Sequence, residues 1–333
     1  MPSVEIIMAV DILVVKDLSL TLNDIVFFKD ISFSLKLGRT LTIIGETGCG
    51  KSLLCKSLVG LQPPGFKLAG SILFYRDCSQ AVEVTTATAR TMSTIRGSQI
   101  GFVFQEATAS FNPLLSCGQQ ILHVLRSQNT GSKDTLKQKT LALLEQVGFA
   151  DAKRLYRCYP HQLSGGMAQR VSLALALAGE PQILIADEPS YALDSVAKKE
   201  YLQLIKDLCS KNNLSLILVT HDIQEAFSYS GDILVLYAGC PAEILNNPSE
   251  KVIPSHPYTQ ALLDIAKAFR NFKLPQPIPG ETPAITSPPP GCRFHPRCHR
   301  AQPICRESYP EKRDLGSNHF VWCFFPNVVR QQS

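Results

Sequence analysis

No stretch of the 333-residue chain approaches the roughly 18 to 20 uninterrupted apolar residues that a membrane-spanning helix needs, and the mean hydropathy is only +0.04. The sequence is therefore expected to be soluble, at most peripheral to a membrane. It also shows no secretory leader: MPSVEIIMAV has no basic segment followed by a long apolar run and a small-residue cleavage site, so a cytoplasmic protein is expected. Charge is sparse, at 18% of residues, and 33 Lys plus Arg against 28 Asp plus Glu leave a net +5, too mild to argue for nucleic acid. No internal repeat is evident.

What is present is enough apolar material for a large core: 45% of residues are hydrophobic, and the length suits one big domain or two unequal ones. Of the eleven cysteines, seven (Cys49, Cys55, Cys78, Cys117, Cys158, Cys209, Cys240) are scattered through patterned segments as buried small residues usually are. The other four, Cys292, Cys298, Cys305 and Cys323, cluster towards the C-terminus. Met8 opens a segment that reads as a first strand, so residues 1–7 are read as an upstream extension or a start-site choice.

Short runs of alternating or apolar residues (DILVV, IVFF, ISFSL, TLTII) predict several β-strands between residues 9 and 44. The last of them meets a glycine-rich turn, after which KSLLCKSLVGL has helical spacing. SILFY predicts another strand, and from about Gln105 to Ala176 the pattern turns helical. Two apolar runs, Gln182–Ala186 and Leu214–Thr220, are divided by the helical stretch AKKEYLQLIKDLCSK, which suggests a parallel sheet covered on both faces. After about Pro248 prolines crowd into KLPQPIPGETPAITSPPPGC, predicted to be extended and poorly packed, and a boundary is placed there.

The chemistry begins at Gly45-Glu46-Thr47-Gly48-Cys49-Gly50-Lys51-Ser52, which satisfies G-x-x-x-x-G-K-[ST] between a predicted strand and a predicted helix. Such a loop turns successive N–H groups towards phosphate oxygens, and the helix start adds partial positive charge. Lys51 is then expected to reach the β- and γ-phosphates and Ser52 to ligate Mg²⁺. A second helix start, Leu163-Ser164-Gly165-Gly166-Met167, offers a hydroxyl and backbone N–H groups to another anion; read alone it is also an ordinary N-cap and turn. Ile183–Ala186 is an apolar strand ending in Asp187 and Glu188, placed to hold Mg²⁺ and to polarise an attacking water.

These strings, in this order, resemble the Walker A, signature and Walker B motifs of the ABC ATPases. The resemblance adds Gln105 as the Q-loop residue touching Mg²⁺ and the water, His221 as the switch histidine on the γ-phosphate, and Ala192-Leu193-Asp194 as the D-loop. It implies an α/β fold: a P-loop NTPase cassette with a parallel-sheet core, an antiparallel β subdomain and a helical subdomain at about 106–176. The cassette spans 8–250, followed by a small Cys-containing extension at 251–333. It also implies that two cassettes meet head to tail, so that each ATP is enclosed by the phosphate loop of one and the signature of the other.

Three further strings resemble the dipeptide, oligopeptide and nickel importer branch: Ala107–Pro113 after the Q-loop, Pro254–Leu263 with its HPYT start, and Pro288–Cys298 with its PRC end. The branch implies a second, paralogous ATPase subunit, two membrane permeases and an extracytoplasmic solute-binding protein. No nucleic acid partner is implied, and the chain would sit on the cytoplasmic side of the bacterial inner membrane. Di- or oligopeptides are the expected solute, with nickel as the alternative. A non-transport ABC ATPase is the rival reading, against which stand the absence of a long coiled-coil insertion and of a second cassette. The four tail cysteines are separated by five, six and seventeen residues, unlike the close C-x-x-C pairs usual for zinc. The resemblance implies a four-thiolate [4Fe-4S] cluster in some members. Iron–sulfur, zinc and no metal all stay open here.

The chain also departs from the family pattern. The adenine-stacking aromatic falls near Leu22, leaving Phe27 as the neighbour that would have to compensate. Ser190-Tyr191 replaces the usual Thr-Thr or Thr-Asn pair, and Cys240-Pro241 interrupts a usual strand. None of these removes a catalytic group, so an active ATPase is predicted.

Overall fold

The structure, a computed structural model, describes residues 10–76, 80–128, 131–229, 231–248, 253–316 and 319–327. The segment 1–7 and Cys78 lie outside the described residues. In chain order the first regular elements are β1 (Asp11–Leu22), β2 (Ile25–Lys36), β3 (Thr40–Ile44), α1 (Lys51–Leu58), β4 (Lys67–Tyr75), β5 (Ala81–Glu83), α2 (Ala89–Ser93) and β6 (Ile100–Val103). There follow α3 (Cys117–Gln128), α4 (Lys133–Gln146), α5 (Ala152–Arg157), α6 (Gly165–Leu177), β7 (Ile183–Asp187), α7 (Ser195–Lys211), β8 (Ser215–Thr220) and α8 (Ile223–Ser228). The last are β9 (Asp232–Tyr237), β10 (Cys240–Leu245), α9 (Pro257–Arg270), α10 (Pro303–Glu307), β11 (Arg313–Asp314) and β12 (Phe320–Val321). No helix among the described residues is long and apolar enough to cross a membrane.

These elements gather into two compact units. Of the described residues, the first is drawn from 10–15, 33–39 and 71–216, the second from 16–32, 40–70 and 217–327.

In the first unit β6 and β7 pair in parallel, from Ile100↔Ile183 to Val103↔Ala186. All five residues of β7 are buried, as a strand covered on both faces requires, which is why ILIA reads as an unbroken apolar run. Gly101 lets β6 and α6 approach closely, because a Cβ there would lie 2.3 Å from the Ala176 carbonyl oxygen. Around α6 the helices α3, α4 and α5 bury Ile121, Leu125, Leu136, Leu144 and Leu155. The helical region starts later than the pattern from Gln105 suggests: the first α-helix after β6 is α3, at Cys117. Asn112 and Pro113 intervene in a turn where the Asn112 side chain accepts from Leu114 N at 2.9 Å and Gln120 bonds both polar groups of the Asn112 backbone.

In the second unit β9 lies parallel to β3, with Leu41↔Asp232 through Ile44↔Val235 in register, and antiparallel to β10. β12 extends this mixed arrangement by pairing Val321 with Glu243, and β11 pairs with β12. At Cys240-Pro241, read as an interruption, the strand forms with a bulge between Pro241 and Glu243. Likewise IVFF and ISFSL, read as separate strands, are one strand, β2, in which Asp30 turns left-handed (φ 57) and its N–H donates to Ser19 Oγ at 3.1 Å.

The core of this unit joins Ile44, Ile233 and Val235 to Tyr258 and Leu263 of α9 and to Phe294. Tyr237, Tyr258 and Phe294 pack as an aromatic trio with ring centroids 4.7 to 5.4 Å apart. Between α9 and Phe294 the proline-rich segment has no regular element, as its composition predicts.

Candidate nucleotide-binding site

The phosphate loop is fixed at its entry by β3, whose Leu41, Thr42, Ile43 and Ile44 side chains are all buried. At its exit Gly50 caps α1 with φ 100, a left-handed conformation that glycine adopts without a Cβ penalty. Gly50 brings no side chain to this cap, so α1 begins directly out of the glycine-rich turn, and a helix start of this kind is suited to an anion. Lys51 is 4% exposed, and its ammonium donates to the Gly45 and Glu46 carbonyl oxygens at 2.8 and 3.1 Å, closing back over the loop. Burial pushes the Cys49 thiol up to about 11, only partly opposed by the Lys51 charge, so it stays neutral at pH 7. Thr47 and Gly48 are exposed, and Ser52 is half-buried in the first turn of α1.

Residues outside the loop tie Glu46 down. Its N–H donates to Tyr258 Oη at 2.9 Å, and its carboxylate takes both arms of Arg297, at 2.6 and 3.1 Å. The HPYT string explains the first contact, since His256 caps α9 by accepting from Tyr258 N at 3.0 Å and Pro257 occupies the first helical position. Neither contact is visible in the sequence, although both residues lie in the quoted HPYT and PRC strings. Burial lowers the His256 pKa to about 4, against the opposing charge of Glu243, so this cap is a neutral imidazole. His221 is exposed, in a turn where Thr220 Oγ1 accepts from Asp222 N at 3.0 Å and Asp222 caps α8. Phe27 packs edge-on to Phe66 with centroids 4.9 Å apart.

The first unit carries the other predicted residues. Ser164 caps α6, its Oγ accepting from Met167 N at 3.3 Å, and Ser164 and Gly165 are exposed. The D-loop lies against these glycines: a Cβ on Gly166 would meet Leu193 at 3.4 Å, and one on Gly165 would meet the Ala192 carbonyl oxygen at 3.9 Å. Asp194 then caps α7, accepting from Val196 N and Ala197 N at 3.0 Å each. Asp187 is 2% exposed at the end of β7, and Glu188 follows with φ 42. A non-glycine residue held left-handed costs of order 1–3 kcal/mol and persists where its surroundings over-determine it. Because β6 and β7 are parallel, Gln105 and Glu188 each lie two residues past the last paired residues, Val103 and Ala186, at the same end of the strands.

All four tail cysteines line one small cavity, together with His256, Phe294 and Phe324. Cys292 is pushed up to about 12, by burial first and also by the neighbouring Cys323, Cys305 and Cys298. Among the described residues no three or more His, Cys, Asp or Glu side chains form a group that could hold a single metal ion. The scattered cysteines Cys49, Cys55, Cys117, Cys209 and Cys240 are buried, as their setting predicts, whereas Cys158 is half-buried.

Residues 28–191 match the family described as ABC transporter, and residues 243–305 match the oligopeptide/dipeptide transporter C-terminal region. The dipeptide transport ATP-binding protein DppD of Bacillus subtilis is 38% identical over 299 residues, covering 89% of this chain and 88% of that one. The oligopeptide transport ATP-binding protein AppD of the same organism is 37% identical over 88% of this chain and 89% of its own length. DppD of Escherichia coli K12 is 35% identical over 89% of this chain and 90% of its own. Among solved structures, the dimeric ATP-binding cassette MJ0796 in a post-hydrolysis state with ADP and Pi is similar at a TM-score of 0.62 and 28% identity, covering 71% of this chain and 99% of that one. The cbiO1 protein of Clostridium perfringens, part of the ABC transporter complex cbiONQ, gives the same TM-score at 26% identity, over 80% of this chain and 96% of that one.

Proposed function

The chain belongs to the ATP-binding subunits of dipeptide and oligopeptide ABC transporters, and from that premise we propose that it binds and hydrolyses ATP to drive import of di- or oligopeptides through membrane permeases. The observation that carries this reading is the phosphate loop, with its left-handed Gly50 cap and the Lys51 ammonium held across its carbonyls.

In this mechanism the loop N–H groups and Lys51 bind the β- and γ-phosphates. Ser52 and Asp187 would hold Mg²⁺; a hydroxyl and a carboxylate are the hard oxygen donors that suit it, and when bound it neutralises charge on the phosphate oxygens. Glu188 orients the attacking water and accepts its proton, Gln105 holds that water, and His221 contacts the γ-phosphate. Support for Glu188 comes from its strained φ of 42 and from its place beside the outlet of β6, where Gln105 also lies. Ser164, Gly165 and Gly166 close the ATP site of a second cassette, a paralogous subunit, and two permeases and an extracytoplasmic binding protein complete the importer at the cytoplasmic face of the membrane. The exposure of Ser164 and Gly165 supports this role, as does the similar cassette solved as a dimer with ADP and Pi. Charge stabilisation from both helix starts, rather than covalent chemistry, then carries the phosphoryl transfer.

The tail cysteines are proposed to ligate an iron–sulfur cluster, which would serve to hold the tail. Four thiols on one cavity wall support it. Anaerobically purified protein should carry iron and acid-labile sulfide in equal amounts, and zinc in their place would overturn the assignment.

The test of the main reading is ATP turnover by this chain assembled with its partner cassette. Glu188→Gln should lower it by about 100- to 10,000-fold while ATP still binds, and equal turnover by the two proteins would refute the assignment. Uptake of a labelled dipeptide, compared with nickel, in cells with and without the chain separates the two solutes.

A further inference from the structure

Glu46 puts a carboxylate inside a loop whose task is to hold a polyanion, which by itself weakens that loop. The structure shows how this charge is managed. Arg297, with its side chain 6% exposed, forks onto both Glu46 oxygens at 2.6 and 3.1 Å, and Thr282 Oγ1 adds a third donor at 2.7 Å. The guanidinium is itself pinned by the Pro279 carbonyl oxygen at 3.0 Å and Tyr237 Oη at 3.2 Å. Tyr258 takes the Glu46 N–H at 2.9 Å, while the Glu46 carbonyl takes Lys51 at 3.1 Å. Each polar group of Glu46 is thus occupied, two of the three by residues more than 200 positions away. The same tail segment passes Gly50, where a Cβ would lie 3.3 Å from Ile285 Cδ1.

We propose that Arg297 is a positioning residue for nucleotide binding: it neutralises and orients Glu46, and so couples the packing of the proline-rich tail segment to the phosphate loop. A bidentate, mostly buried Arg–carboxylate pair is geometrically demanding, and removing one partner leaves the other charged and unpaired. Without Arg297 the Glu46 charge faces the triphosphate, and the loop loses its side anchor. Coupling is reciprocal, so whatever factor the tail contributes to ATP affinity, bound ATP returns to tail packing.

The proposal rests on the reading that this loop binds ATP, and the full-length protein tests both together. Arg297→Met should weaken ATP binding about tenfold, more at low salt than at high salt, and adding Glu46→Gln in the same chain should recover affinity to within about threefold of wild type. A merely structural role for Arg297 would lower the folded fraction without a salt-dependent Kd. The second measurement needs no substitution at the pair: ATP should slow cleavage after Glu281 by a glutamyl endoprotease about tenfold in wild type and leave it unchanged in Lys51→Ala. An Arg297→Met affinity within twofold of wild type, a loss that Glu46→Gln does not recover, or cleavage indifferent to ATP would each overturn the coupling. Wild-type protein that binds no ATP would instead overturn the nucleotide reading itself.

Discussion

The two helix starts proposed to hold phosphate, at α1 and α6, are built in opposite ways. The phosphate loop is anchored on every side: β3 buried before it, Lys51 folded over its carbonyls, Gly239 N donating to Cys49 O at 2.9 Å, and Tyr258 and Arg297 on Glu46. The start of α6 is exposed and held by its own Ser164 cap and the adjacent D-loop. One is a complete cradle within its unit. The other is a presented surface that works when something else is brought to it. A site assembled from such halves separates binding from turnover, because the anchored half can hold a nucleotide that the exposed half has not yet enclosed.

Substitutions in the two starts should therefore fail differently. Lys51→Ala removes the ammonium from the anchored half and should weaken ATP binding by the isolated chain by at least about 100-fold, read by titration with a fluorescent nucleotide. Gly50→Ala places a Cβ on a residue at φ 100 and 3.3 Å from Ile285 Cδ1, and should cost about 1–3 kcal/mol of stability as well as much of the ATP affinity. Ser164→Ala should leave binding by the isolated chain unchanged, cost about 1 kcal/mol of stability through the lost cap, and lower ATP turnover of the assembled pair roughly tenfold. Equal effects of Lys51→Ala and Ser164→Ala on binding by the isolated chain would erase the distinction between the two halves.

A change of pH, rather than of residue, sharpens the anchored side. His256 caps the helix that presents Tyr258 to the loop and is neutral when folded, with a pKa of about 4 set by burial against the pull of Glu243. In the unfolded chain a histidine titrates near 6.5, so the unfolded state takes up the proton first as pH falls. The stabilisation is complete above about pH 6.5 and is lost as pH drops towards 4, by roughly 3 kcal/mol at most. Urea unfolding at pH 7.5, 6 and 5 should show this slope, and His256→Asn, which keeps a capping oxygen, should flatten it.

Much of this was legible in the residues themselves. A phosphate loop, a capped signature helix and an apolar strand ending in two carboxylates are local features, written in glycine spacing and in period, and the structure places β3, α1, α6 and β7 at those strings. Other features were not readable. Asp30 keeps β2 continuous where the pattern reads as two strands, because a left-handed residue hydrogen-bonded to Ser19 turns the chain without ending the pairing. Two-residue strands such as β12 carry no periodicity, and Val321 finds Glu243 only because β10 exposes a pairing edge. The start of α3 at Cys117, by contrast, was readable and was passed over: Ser116 and Gln119 bond reciprocally as a capping box, a local S-x-x-Q signal.

By itself, then, the sequence determined the cassette class and the order of its motifs, since short-range spacing and helix or strand period are properties of neighbouring residues. Only the tertiary structure decided that Glu46 is neutralised by Arg297, 251 residues along the chain, and that Tyr258 holds the same loop. Four cysteines with uninformative spacings likewise come to share one cavity only through folding. Contacts of that range depend on how a core closes, and no local pattern carries them.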